Sequence, residues 1–184
     1  GRNPNLGLKG ADVISMDITL AKERTRFLVI SGPNAGGKSV ALKSVGLFVY
    51  MLQCGLLLPV DKESEIGIFK NIFVDIGDQQ SVEDELSTYS AHLKNMHFMV
   101  NRACKDTLLL VDEMGSGTAP EYGGAVAEVV LSKLINSQCF GIITTHFSNL
   151  KNLAEQSSGV DNASMLYDFE SLTPLYELEV GKPG

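Results

Sequence analysis

The chain has 184 residues, of which 44% are hydrophobic and 20% are charged, a mixture that excludes a disordered, collagen-like or disulfide-scaffold protein. Its length predicts one domain, or two at most, with a sizeable core. The net charge is −7, from 15 lysines and arginines against 22 aspartates and glutamates, so we expect any polynucleotide to be held elsewhere than on this chain.

The first half of the chain predicts strands around one long helix. Residues 13–20 (VISMDITL) alternate and predict an edge strand, whereas residues 27–30 are a continuous apolar run that predicts a buried strand. Residues 39–53 are apolar almost all round, which predicts a helix enclosed on both sides. Residues 66–76 are rich in Ile, Phe and Val and predict one or two strands, and residues 77–87 predict a polar loop.

The second half alternates predicted helices with predicted strands. Helical spacing of apolar residues predicts helices over residues 90–104, 123–135 and 148–155. Thr107–Val111 and Phe140–Thr144 are apolar runs typical of buried strands, and residues 160–180 have the pattern of a hairpin. No repeat or linker divides residues 1–184. The alternation predicts an α/β fold with a mainly parallel sheet flanked by helices.

The spacing of the cysteines and the length of the apolar stretches indicate the cellular compartment of the protein. Cys54, Cys104 and Cys139 lack the paired spacing of a disulfide framework, which is typical of a reducing compartment. The most apolar stretch, residues 46–60, is shorter than the roughly 20 residues of a membrane-spanning helix. We therefore expect a cytoplasmic protein with no membrane partner. The chain starts without an initiator Met and stops at Lys-Pro-Gly, which we interpret as boundaries inside a longer protein.

Residues 32–39 read GPNAGGKS, a full match to the phosphate-loop pattern G-x-x-x-x-G-K-[ST] between a predicted strand and a predicted helix. Its glycines allow backbone N–H groups to wrap phosphates, Lys38 places a charge between the terminal phosphates, and the Ser39 hydroxyl is a ligand suited to Mg²⁺. A Gly-rich loop that only turns the chain needs neither this spacing nor these flanks. The predicted nucleotide-binding residues here are Gly32, Pro33, Ala35, Gly36, Gly37, Lys38, Ser39 and Val40.

Residues 107–113 read TLLLVDE, an apolar strand that ends in two carboxylates. Asp112 follows the strand at the carboxyl edge, where open parallel sheets bind ligands, and is predicted to hold Mg²⁺. Glu113 then points toward the γ-phosphate and is predicted to act as the general base for the attacking water. The alternative, an acidic strand end that is only solvated, is disfavoured by the phosphate loop.

The TTH segment after the next apolar run places His146 where it could contact the γ-phosphate. A lone His is more often structural, and we assign His92 and His97 to that class. The place of His146 at a strand end beside two other motifs favours the γ-phosphate role. Ser87 opens a hydroxyl-rich segment, STYS, before a predicted helix, which in isolation indicates only a helix N-cap.

In order along the chain, these segments resemble the ATPase domain of the MutS family. GPNAGGKS is similar to its phosphate loop, STYSAH to its signature segment, DEMGSGT to its DE-x-G-x-GT turn and TTHF to its T-H-aromatic element. The resemblance covers nearly the whole chain. The stretch DIGDQQSVEDELSTYSAHLKNM is more similar to the bacterial second MutS type, which carries a C-terminal Smr nuclease domain, than to the mismatch-binding branch.

The resemblance implies a P-loop NTPase of the ATP-binding-cassette type, with an antiparallel edge to its sheet, that uses ATP and Mg²⁺. It implies a homodimer of the full-length protein with two composite sites, to each of which the partner contributes Ser87 in trans. Contacts of Asn34 and residues 78–80 with nucleotide or metal-bound water are also implied, with simple loop polarity as the alternative. DNA, branched or mismatched, or the ribosome would be held by other domains of the parent.

Two departures from the family pattern and three alternatives remain. Val40 replaces a hydroxyl residue that often follows the loop, and Ala119 stands where the second type usually has Asp, which removes one contact across the dimer. A transporter-type cassette ATPase would carry an LSGGQ-type signature where STYSAH stands. A phosphotransferase would need an acceptor pocket, and the DE pair favours water as the acceptor. The ATPase of a mismatch-recognising MutS differs only in modules outside this chain.

Overall fold

The computed structural model describes residues 1–8, 13–77, 85–168 and 170–184. Within these ranges the strands are β1 Phe27–Ser31, β2 Asn71–Asp75, β3 Thr107–Val111, β4 Phe140–Thr144, β5 Val160–Asp168 and β6 Thr173–Val180. The helices are α1 Pro4–Leu8, α2 Lys38–Gln53, α3 Glu85–Arg102, α4 Pro120–Asn136 and α5 Ser148–Gln156, with a 3-10 turn at Asn34–Gly36.

The strands form a single sheet in the order β2-β3-β4-β1-β5-β6. The first five strands in this order pair in parallel, and β6 pairs antiparallel with β5 at one edge. This arrangement confirms the predicted α/β class, the mainly parallel sheet and the C-terminal hairpin.

Helices cover both faces of the sheet. On one face, side chains of α3, α4 and α5 pack against β1, β3 and β4, with Met96, Leu131 and Leu150 at the centre. On the other face, α2 packs Leu42 and Val49 against Leu110 and its neighbours. Strands β1, β3 and β4 are buried on both sides, which explains why they read as continuous apolar runs.

The predicted edge strand at residues 13–20 is wrong, because this segment forms no strand. Its alternation is real, since Met16, Ile18 and Leu20 pack against the α2 face of the core. The N–H and the carbonyl of Met16, however, bond to Gly1 rather than to a strand of the sheet. An alternation of apolar and polar residues shows that one side of a segment is buried. It does not show that the segment pairs with a neighbouring strand.

Residues 66–76 contain one short strand, β2, as one of the two predicted possibilities. Helix α3 differs from the prediction, because it begins at Glu85, inside the stretch predicted as a loop. Glu and Leu are strong helix formers, so Glu85 and Leu86 favour a helix before the apolar periodicity begins. The enclosure predicted for residues 39–53 is also wrong, because Val40 is 40% and Tyr50 64% exposed.

The cysteines carry no disulfide in the structure. All three are free thiols, two of them exposed, and burial raises the pKa of Cys139 to about 11. None of the helices in the described ranges has the length and apolar character needed to cross a bilayer.

The turn after β3 packs tightly against the start of α4. Gly115 has φ +89, and a Cβ added at Gly123 would lie 2.2 Å from the Gly115 carbonyl oxygen. Only glycine therefore allows the two backbones to approach this closely. The contact holds the turn that follows Asp112 and Glu113.

We expect Gly123→Ala to lower the free energy of unfolding by about 2–3 kcal/mol, because overpacking outweighs the helix propensity gained by alanine. The matched control is Gly124→Ala, in the same helix, whose new Cβ would lie 3.2 Å from the Asn149 side chain rather than 2.2 Å from a backbone oxygen. Urea denaturation of both variants measures the difference. Equal stabilities of the two variants would contradict the close contact.

Candidate functional site

The predicted motifs meet at one edge of the sheet. In the sheet, β4 lies between β3 and β1, with Val111 beside Ile143 and Ile30 beside Thr144. Because parallel strands end at the same edge, the segments after β1, β3 and β4 are neighbours. The structure thus brings together the phosphate loop, the DE pair and the TTH segment, which are far apart in the sequence.

The phosphate loop turns the chain from β1 into α2. Gly32 has φ +123 and Gly37 has φ +94, conformations that favour glycine. The N–H of Gly36 bonds to the Pro33 carbonyl at 3.0 Å, which closes the turn. The 16-residue helix α2 begins at Lys38, so the N–H groups of its first turn and the positive end of its dipole lie at the loop. This geometry suits an anion such as a phosphate.

The C-terminal hairpin packs directly against the loop. An added Cβ at Gly36 would lie 3.0 Å from the Met165 side chain, and one at Gly37 would lie 3.1 Å from the Tyr176 ring. The glycines thus leave room for the hairpin as well as for a ligand. Sequence reasoning missed Met165 and Tyr176, because a hairpin pattern does not show which loop the hairpin covers.

Lys38 is almost fully buried, at 2% exposure, although it carries a charge. Its Nζ donates to the carbonyls of Gly32, at 2.6 Å, and Pro33, at 3.0 Å. Burial lowers the pKa of this ammonium, and the carboxylates of Glu113 and Asp112 oppose the shift. The cation therefore lies within reach of the DE pair and inside the loop.

Thr144, the last residue of β4, is hydrogen-bonded to both residues of the DE pair. Its hydroxyl donates to Asp112 Oδ1 at 2.5 Å and accepts from the Glu113 N–H at 2.7 Å. The side chain is fully buried, and the Asp112 N–H bonds to the Asp75 carbonyl at 2.8 Å. Asp112 is thereby held in one orientation. Sequence reasoning named Thr144 only as a neighbour of His146, because the bond spans 32 positions of the chain.

Glu113 and His146 lie together at the open side of the site. Glu113 Oε1 and His146 Nε2 are 3.8 Å apart, with the side chains 40% and 47% exposed. Glu113 has φ +48, an uncommon conformation for a non-glycine residue that is typical of functional sites. Both groups are thus accessible to a ligand bound at the phosphate loop.

The donor set fits Mg²⁺. The ion prefers oxygen ligands, and it is usually held by one or two protein groups together with substrate phosphates. The Ser39 hydroxyl in the first turn of α2 and the oriented Asp112 carboxylate are such groups. No group of three or more His, Cys, Asp or Glu side chains that could hold a metal ion occurs in the described ranges.

A second hydrogen-bonded group anchors α3 beside the site. His92 Nδ1 lies 2.9 Å from Asp75 Oδ2, and Asn95 donates to Asp75 Oδ1 at 2.9 Å. These bonds tie α3 to the end of β2 and agree with a structural role for His92. Ser87 lies near the start of the same helix.

Some predicted contacts lie outside the described part of the chain. The side chains of Asn34 and Ser87 are not described, although their backbones belong to the 3-10 turn and to α3. Residues 78–80 lie outside the described residues altogether. Their predicted roles toward nucleotide therefore stay predictions.

We expect Thr144→Val to weaken the predicted Mg²⁺-dependent hydrolysis of nucleotide by about 10- to 100-fold, the usual effect of losing a group that orients a metal ligand. Valine keeps the shape but cannot donate to Asp112 or accept from Glu113. Thr144→Ser, which keeps the hydroxyl, is the control. Turnover against Mg²⁺ concentration gives the readout, and a wild-type Mg²⁺ dependence of Thr144→Val would refute the orienting role.

Comparison with known proteins agrees with this geometry. Residues 28–182 match the family described as MutS domain V. The chain is 44% identical over 183 residues to Endonuclease MutS2 of Carboxydothermus hydrogenoformans and 46% identical over 172 residues to Endonuclease MutS2 of Caldanaerobacter subterraneus subsp. tengcongensis. These alignments cover 100% and 94% of this chain but only 23% and 22% of the relatives. The chain therefore spans about a quarter of their length.

Proposed function

Because this chain belongs to the MutS family and is of its MutS2 type, we propose that it is the ATPase domain of a longer protein and hydrolyses ATP with Mg²⁺. The observation that carries the proposal is the Thr144 hydroxyl, which couples Asp112 to the Glu113 backbone beside the phosphate loop. We assign residues 1–184 to this domain. Its fold is that of a P-loop NTPase of the ATP-binding-cassette type.

ATP binds through its phosphates in this proposal. The loop and the first turn of α2 supply N–H donors to the phosphate oxygens from residues 32–40, Asn34 and Val40 included. Lys38 moves its ammonium from the loop carbonyls to the terminal phosphates, an exchange of one set of oxygen acceptors for another. Ser39 and Asp112 would hold Mg²⁺, which would neutralise charge on the phosphates when bound.

Glu113 acts as the general base for hydrolysis. A water oxygen bonds to the γ-phosphorus, the bond to the β,γ-bridging oxygen breaks, and the water proton passes to the Glu113 carboxylate. His146, 3.8 Å from Glu113, contacts the γ-phosphate and loses this contact when hydrolysis releases the phosphate. The products are ADP and inorganic phosphate.

Dimerisation completes each site in the longer protein. Ser87, near the start of α3, caps the nucleotide of the partner in trans, and α3 is anchored through Asp75 beside the DE pair. ATP stabilises the closed pair and hydrolysis releases it, so the two nucleotide states differ in dimer affinity. In this cytoplasmic protein, other domains hold branched or mismatched DNA, or the ribosome.

Light scattering after gel filtration tests the composite site. We expect Glu113→Gln in the longer protein to form a dimer with Mg-ATP that the additional change Ser87→Ala weakens. Ser90→Ala, three residues along the same helix, is the matched control. If Ser87→Ala and Ser90→Ala leave the dimer equally intact while ATP still binds, Ser87 has no role in trans.

A further inference from the structure

Basic side chains cluster at the edge of the sheet opposite the phosphate loop. The basic edge, as we name it, consists of exposed or half-buried basic residues that precede the parallel strands: Lys22, Arg24, Arg26, Lys70 and Lys105. Because β1, β2 and β3 run in parallel, the residues before them lie at one edge. The Lys70 N–H, for example, bonds to the Asp106 carbonyl at 2.9 Å.

Strand register sets the order of these cations along the edge. β2 pairs with β3 from Asn71 beside Thr107, and β4 connects β3 to β1. Three strand spacings of about 4.8 Å therefore separate the start of β2 from the start of β1, about 14 Å in all. The basic edge is thus a row, with Lys70 and Lys105 toward one end and Arg24 and Arg26 toward the other.

Two of the acidic side chains near this edge, Asp106 and Asp161, have hydrogen-bond partners. Lys70 Nζ lies 2.7 Å from Asp106 Oδ2, and this hydrogen bond, with the charges of Lys105 and Lys22, lowers the pKa of Asp106. Asp161 accepts the Thr25 hydroxyl at 2.5 Å. Lys70 is paired with Asp106, and the other four cations of the edge outnumber the remaining acids Glu23 and Asp161, whereas the chain as a whole carries −7.

Part of the basic edge is held in place. Arg26 donates to the Gln138 carbonyl at 2.6 Å and lies 5.1 Å above the Phe140 ring. It borders an open cleft of about 330 Å³ that Lys22, Arg24 and Gly159 also line. An ordered guanidinium beside exposed cations on an open surface suits an extended polyanion better than a small enclosed ligand.

We propose that the basic edge binds the phosphate backbone of duplex DNA, on the side of the sheet opposite the ATP site. Duplex DNA carries one charge per about 1.7 Å of axis, so a row of about 14 Å faces several phosphates. Lysine and arginine without a base-reading element give contacts independent of sequence. The net charge of the chain does not reveal this basic surface, because the acidic residues elsewhere in the chain outnumber the cations of the edge.

Fluorescence anisotropy with a labelled duplex of about 20 base pairs tests the proposal. The assay contains no nucleotide, so its outcome does not depend on the proposed ATPase. We expect the chain to bind at low salt, with affinity falling steeply between about 50 and about 200 mM salt. No binding at low salt would overturn the proposal.

Paired variants locate the contact. Lys22→Gln/Arg24→Gln should lower the affinity about tenfold at low salt and reduce the salt slope by about 2, since each phosphate contact contributes about 0.9. Lys105→Glu should weaken binding from the other end of the row. The control, Lys43→Gln/Lys94→Gln, removes two exposed cations from α2 and α3 and should leave the affinity unchanged. An equal loss in the control would overturn the assignment to this edge.

Competition identifies the occupant. Unlabelled duplex DNA should displace the probe at lower concentration than a polyglutamate peptide of equal charge or an RNA duplex of equal length. A peptide that competes as well as DNA would make the basic edge a site for an acidic protein segment and overturn the proposal. Tighter competition by the RNA duplex would likewise reject DNA as the occupant.

Discussion

Glu113→Gln is expected to bind Mg-ATP with unchanged affinity and to hydrolyse it at least about 100-fold more slowly, the lower range of general-base effects. The amide keeps the size of the side chain but cannot accept the proton of the attacking water. The backbone of Glu113 is held by its N–H bond to Thr144 at 2.7 Å, so the exchange should leave the turn in place.

Single-turnover phosphate release measures the hydrolysis rate, and titration with a fluorescent ATP analogue measures the affinity. Glu155→Gln, the same exchange at an exposed position of α5, is the control and should behave as wild type. Unchanged turnover of Glu113→Gln would mean that another group is the base.

Lys38→Ala is expected to weaken ATP binding by at least about 100-fold, or about 2.7 kcal/mol. The variant loses the only charge that the phosphate-loop sequence GPNAGGKS supplies. It also leaves the carbonyls of Gly32 and Pro33 without the Nζ donor that the structure places at 2.6 and 3.0 Å. We therefore expect a loss of stability of about 1–3 kcal/mol as well.

Thermal melting with and without Mg-ATP separates the two effects. A ligand that binds only the folded state raises the melting temperature, so wild type should gain stability with Mg-ATP and Lys38→Ala should not. Lys43→Ala, at an exposed position of the same helix, should respond like wild type. Near-normal affinity of Lys38→Ala would refute the phosphate-loop assignment.

The elements that the sequence predicts well are those with a strong local pattern. Thr107–Val111 and Phe140–Thr144 occur with their predicted bounds, because a strand buried on both faces reads as an unbroken apolar run. Residues 13–20 show the limit of this reasoning. They bury alternate side chains without pairing with a strand, and only the neighbours of a segment decide whether a ladder forms.

The sequence by itself determined the phosphate loop, the DE pair, the TTH segment and the alternation that makes the sheet parallel, since each depends on residues close together in the chain. The tertiary structure alone decided that Thr144 orients Asp112 and that Tyr176 packs on Gly37. It also decided that five cations share the edge opposite the loop. Such contacts join positions up to about 140 residues apart, and their geometry follows from strand order and register, which local patterns do not specify.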